Sequence, residues 1–157
     1  MRGRAGVAVA LVAALGCLGP LTAPPAGPRT LAEAADQAPT AERRASIRMV
    51  QHASDALQRG DPGMAQILAE RALRVDGRNP YAYLVLGEAV ASSDDPTAAI
   101  PQLEQAQALF ETEAPESRLF RARALFALAD LLQQRGDLEQ AEARRAEARA
   151  LLGERPW

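Results

Sequence analysis

The sequence predicts an all-α chain of about three stacked helix–turn–helix units. Three observations carry this. A turn signal recurs as Gly60-Asp61-Pro62, Asp94-Asp95-Pro96 and Gly136-Asp137-Leu138; the first two copies stand 34 residues apart, and the third is displaced by a further 8. Around each turn small residues keep one spacing, as Ala53, Ala65 and Ala72, then Gly87, Ala99 and Ala106, then Ala129, Ala141 and Ala148. Aromatic residues make up only 4% of the chain while Ala, Leu and Arg dominate, a composition that loses little entropy in helices. Periodicity of this length marks two-helix units that bury their apolar faces only by stacking.

The chain begins with a targeting signal. Met1-Arg2-Gly3-Arg4 is a positively charged n-region and residues 5–15 form an apolar h-region, so residues 1–16 are expected to be a signal peptide and are set apart from the fold. Ala14-Leu15-Gly16-Cys17 resembles a bacterial lipobox, although Leu is usual where Ala14 stands. That resemblance implies lipidation of Cys17 and an exported, periplasmic protein anchored to the outer membrane by a lipid. Cleaved secretion and an uncleaved anchor are the alternatives, with Cys17 then one more small residue. Cys17 is the single cysteine, which excludes an intramolecular disulfide.

Residues 17–39 carry Pro20, Pro24, Pro25, Pro28 and Pro39 but few large apolar side chains beyond Leu21 and Leu31. Such a segment is expected to be an extended spacer, reaching roughly 70 Å at about 3.1 Å per residue. A short, weakly specified helix over residues 31–37 is the one element it could form. The repeat domain is placed at 40–155, with a first long helix over 40–59 and units at 46–79, 80–113 and 122–155. Asp61 and Asp95 are expected N-caps, each followed by Pro at the first helical position, where the missing N–H costs nothing. Gly60, Gly136 and Asp94 are expected to take the left-handed turn conformation. Pro101 falls inside the second helix of the middle unit and should bend it. The 8-residue insertion is expected to lengthen the third unit's first helix to residues 116–135, and the polar last helix, residues 139–152, to cap the stack.

The residues at these positions resemble the tetratricopeptide repeat family. Tyr83, Leu86-Gly87, Val90, Ala99, Leu103 and Ala106 match its pattern in the middle unit. Leu125, Leu128-Ala129, Leu132, Ala141 and Ala148 match in the third, where Arg145 departs from an expected bulky apolar residue. Met49, His52-Ala53, Ala56, Ala65, Ala69 and Ala72 match more weakly in the first. The resemblance implies a right-handed superhelical α-solenoid whose first helices line a concave groove for a protein or peptide partner. Mapped onto this chain, that groove comprises Ile47, Val50, Ser54 and Leu57, then Tyr81, Leu84, Glu88 and Ala91, then Arg123, Phe126, Asp130 and Gln133. Val50, Leu84 and Phe126 would form an apolar stripe, with Glu88 and Asp130 adding negative charge beside it. A groove of that kind suits an apolar or amphipathic segment.

Chemistry of other kinds has little material. The single histidine, His52, stands where the family has a core Leu and reads as a half-buried packing residue. No phosphate loop is present, no cofactor or metal is expected, and enzymatic activity is not. Net charge is −2 and every basic residue is Arg, with no basic run interleaved with aromatics, so nucleic-acid binding has no footprint. The expected function is an envelope-anchored adaptor in pilus, secretion or envelope assembly. A self-associating periplasmic scaffold, homodimeric through its own groove, and a regulatory subunit of an envelope enzyme are the alternatives.

Overall fold

A computed structural model describes residues 27–153. The expected signal peptide, Cys17 and the first part of the expected spacer lie outside the described residues. Seven α-helices follow one another: α1 (Leu31–Asp36), α2 (Ala41–Gln58), α3 (Pro62–Val75), α4 (Pro80–Ala91), α5 (Ile100–Glu113), α6 (Arg118–Arg135) and α7 (Leu138–Leu152), with a 3₁₀ turn at Pro96–Ala99 ahead of α5. No strand occurs among the described residues.

The three pairs α2/α3, α4/α5 and α6/α7 stack in sequence, with α2 against α4 and α4 against α6. All nine small residues of the repeated spacing are buried, the eight alanines to 1% exposure or less. Short side chains let the paired helix axes approach. At Gly87 the approach is tight: a Cβ there would stand 2.7 Å from the Leu103 side chain of α5. Leu103 and Phe110 of α5, Leu84 of α4 and Leu128 of α6 then share one continuous core.

The turns explain how each pair closes. Gly60 and Gly136 take φ +77° and +95°, the left-handed conformation that L side chains resist. Asp61 accepts a hydrogen bond from the Met64 N–H at 2.9 Å, capping α3 ahead of Pro62. The middle turn is built differently. No residue other than glycine has positive φ among the described residues, so Asp94 is not left-handed. Instead the Ser92 and Ser93 N–H groups bond back to the Ala89 and Val90 carbonyls. Pro101 does not bend a helix either, because the helix is divided before it. Residues 96–99 form the 3₁₀ turn and α5 starts at Ile100, which places Pro101 in a first turn that needs no N–H.

The insertion lengthens α6 less than expected. A loop at residues 114–117 closes α5, and α6 begins at Arg118 instead of residue 116. Ser117 makes no cap bond; its hydroxyl pairs with the Tyr81 hydroxyl at 2.5 Å. Tyr81 is edge-on to both Phe110 (5.2 Å between centroids) and Phe120 (5.0 Å). This aromatic trio ties the loop to α4, α5 and α6. Burial pushes the Tyr81 hydroxyl pKa up, partly opposed by the Ser117 hydrogen bond.

The segment expected as spacer joins the domain from Gly27 onward. Thr30 caps α1 through the Glu33 N–H at 3.1 Å, and Ala34, Ala35 and Ala38 are buried in the main core. Composition argued for extension because large apolar residues are scarce. Three alanines nevertheless suffice where a helix can lie close against α2. At the far end α7 buries only Ala141 and Ala148 among its own residues, so it presents a polar outer face. Every ion pair among the described residues uses an arginine.

Candidate functional site: the inner groove

The inner face is formed by α2, α4 and α6, and the structure sorts the expected groove residues into floor and rim. Ile47, Val50, Tyr81 and Leu84 are buried at 3% exposure or less, Ser54 is buried at 8%, and Leu57 and Ala91 are half-buried. Glu88 and Phe126 are also half-buried, while Arg123, Asp130 and Gln133 are exposed. Val50, Leu84 and Phe126 therefore do not form an exposed apolar stripe. The cause is position in the stack. α2 is surrounded by α1, α3 and α4, and α4 by its neighbours on both sides, whereas among the described residues α6 packs only on α4, α5, α7 and the 3₁₀ turn. Equivalent places thus carry buried Ile47 and Tyr81 in the inner helices but exposed Arg123 in the last.

The accessible part of the groove is an open trough of about 470 Å³ between α2 and α6, with the start of α1 at one end. Gln51, His52, Asp55 and Gln58 line one wall; Phe120 and Arg123 line the other, with Arg29, Thr30 and Leu31 at the end. His52 is exposed here and is not a packing residue. The helical register puts it one residue before buried Ala53, on the solvent side of α2. The side chains of Gln51, His52, Asp55 and Gln58 make no hydrogen bond to the described residues. A neighbouring recess is lined by Asp130, Gln133 and Gln134 of α6.

Charge on this face is organised by arginine. Arg123 donates to both carboxylate oxygens of Glu88, at 2.5 and 2.6 Å. Burial pushes the Glu88 pKa above its ordinary value, and Arg123 opposes that shift. Arg145 of α7 reaches across to Asp130 at 3.0 Å and to Gln133, besides Glu142 on its own helix. The bulky apolar residue expected at 145 is thus replaced by a polar brace on α6.

Two polar clusters behind the groove had no counterpart in the sequence reading. Asn79, fully buried, caps α4 through the Tyr81 N–H and donates to Ser46 Oγ at 2.8 Å; Ser46 in turn donates to the Ala72 carbonyl. Arg43 pairs with Asp76 and donates to the Arg78 carbonyl at 3.1 Å, while Arg78 bonds Glu113 at 2.5 Å. The Arg78 hydrogen bond holds the Glu113 carboxyl below its usual range. Asn79-Pro80 was the available signal, being an N-cap followed by Pro as at Asp61-Pro62. Among the described residues no cluster of His, Cys, Asp or Glu could hold a metal ion, and no helix is long and apolar enough to cross a membrane.

The chain is similar in structure to the N-terminal domain of stress-induced protein-1 (STI-1) from C. elegans, with a TM-score of 0.62 and 18% identity. The match covers 74% of this chain and 91% of that one. The fold is a tetratricopeptide-like helical repeat. No protein-family model matches the chain, and no curated protein sequence does. The likeness therefore concerns architecture, and the groove's chemistry has to be read from this chain's own residues.

Proposed function

We propose that this chain is a non-enzymatic adaptor that holds a segment of another protein in the trough between α2 and α6. The observation that carries this reading is the row Gln51, His52, Asp55 and Gln58. Four polar side chains on one helix face a cleft and make no hydrogen bond to the described residues. Opposite them stands Arg123, exposed and paired with Glu88, beside the buried Phe120. Such a surface suits a segment with its polar groups toward α2. Anchoring through a lipid on Cys17, with a role in envelope, pilus or secretion assembly, is the cellular setting we attach to this reading.

Site-specific photo-crosslinking tests it. A crosslinker at Gln51 or Gln58 should capture the same partner in cells, and one at Gln66 on the exposed side of α3 should not. Equal capture from both faces would remove the groove from the reading. Mass spectrometry of the mature N-terminus tests the anchor, since an unacylated start beyond Cys17 would exclude it.

A further inference from the structure

We infer that the chain folds back after α7 and seats Trp157 in an apolar pocket at the end of the last helix pair, so that residues 154–157 plug the stack there. The pocket has a volume of about 210 Å³ and is lined by Gly27, Arg29, Glu116, Arg118, Leu119 and Leu152. That is below the roughly 300–1,000 Å³ of small-molecule sites and suits one large side chain. Leu119 stands in the first turn of α6 and Leu152 ends α7, and both are exposed, at 48% and 41%. Two bare leucines on one recess make an apolar wall, which a scattered surface leucine does not.

Three features of the chain point to the occupant. The first is position. α7 is closed at Gly153, whose φ of +76° and N–H bonds to the Arg149 and Ala150 carbonyls turn the chain off the helix axis. Residues 154–157 lie outside the described residues and follow one residue after the Leu152 wall. Four residues span at most about 14 Å, so whatever they touch lies near this end of the stack. The second is chemistry. Trp157 is the single tryptophan, a side chain that removes about 150–250 Å² from water when it packs. Pro156 has a fixed φ and disfavours a helical Arg155, so this segment loses less freedom on docking than a pliant one. The third is charge. Glu154 and Arg155 bring one charge of each sign to a rim that carries Glu116, Arg118 and Arg29. The side chains of these three make no hydrogen bond to the described residues. The entering segment is a wall of the pocket and not its filling, because Gly27 lies against the Glu116 carbonyl with no room for a Cβ. Seated there, Trp157 ties the end of α7 to the start of α6 and to the loop whose Ser117 holds Tyr81.

A lone tryptophan reports on its own docking, and the test uses the full chain. Native emission should be blue-shifted, and acrylamide quenching about threefold weaker, relative to the same chain unfolded in urea. Leu119→Asp and Leu152→Asp, both at exposed positions, should each about double the native quenching while the far-ultraviolet circular dichroism stays unchanged. Leu119→Ala and Leu152→Ala repeat the test in milder form if either charge costs helicity. Leu138→Asp, 63% exposed at the other end of α7, should leave quenching as it is. Native quenching equal to that of the unfolded chain overturns the inference, whatever else fills the pocket. Shielding that neither leucine substitution weakens also overturns it, since Trp157 would then be seated elsewhere. Shielding lost on dilution, in step with dissociation of a dimer by light scattering, would put Trp157 in the pocket of a second copy and overturn it as well.

Discussion

The Arg123 guanidinium grips both oxygens of the Glu88 carboxylate and so joins α6 to α4 across the rim of the groove. Glu88 has only 18% of its side chain exposed, against 47% for Arg123. Its folded-state pKa lies above the ordinary 4.5 because burial outweighs the arginine. A carboxyl with a raised native pKa holds its proton in the fold after the unfolded chain has released it. Its contribution to stability therefore falls as pH rises from the unfolded value through the native one. Arg123→Ala should widen that window upward and cost about 1 kcal/mol at neutral pH, screened by the arginine's exposure. Urea unfolding of both proteins at pH 4 and pH 7 checks this. A loss of the same size at both values would mean that Glu88 ionisation plays no part.

Gly87 and Gly63 should respond to alanine with opposite signs. At Gly87 a Cβ meets Leu103, itself fully buried, at 2.7 Å. The helix-propensity gain of about 1 kcal/mol is then outweighed by overpacking of about 1–3 kcal/mol. Gly63, near the start of α3, has only the Asp61 carboxylate nearby, at 3.7 Å. Gly63→Ala should stabilise by about 0.4–1 kcal/mol. Thermal melts of the two variants decide it, and a stabilised Gly87→Ala would show that α4 and α5 are less closely set than described.

The two aspartates of the outer turns look alike in sequence but not in bonding. Asp61 caps α3, so Asp61→Ala should cost about 1 kcal/mol. Asp137 makes no cap bond and pairs with the exposed Arg135. Asp137→Ala should change stability by less than about 0.5 kcal/mol. Comparable losses from both substitutions in chemical denaturation would contradict the assigned caps.

The buried pair Tyr81 and Ser117 is suited to a double-mutant cycle. Removing either hydroxyl strands the other in a place closed to solvent, at about 1–3 kcal/mol. Tyr81→Phe with Ser117→Ala should cost clearly less than the two single changes added together. Strict additivity would mean that the hydroxyls do not bond.

Helix pairing was legible because it depends on side-chain size at fixed spacing, and the buried set from Ala53 to Ala148 is a pattern one strand of text can display. The left-handed turns at Gly60 and Gly136 were legible for a similar local reason. Asp94 misled because backbone N–H groups of Ser92 and Ser93 close that turn without a left-handed residue. The groove was harder. Register identifies which residues share a face but not what lies over it, so Val50 and Leu84 seemed available while α1 and neighbouring helices cover that level. Asn79 and Ser46, or Arg43 and Asp76, meet only through tertiary approach, and no spacing rule announces them.

The arginines that brace this stack set its behaviour in alkali. A guanidinium keeps its proton throughout the alkaline range in which a lysine amine, with its pKa of about 10.4, loses its charge. The links that Arg43, Arg121, Arg123 and Arg145 make to carboxylates are all guanidinium links. The same substitution of every cation by lysine would leave the spacing, the turns and the small-residue contacts untouched, yet would turn this wiring into something base could switch off.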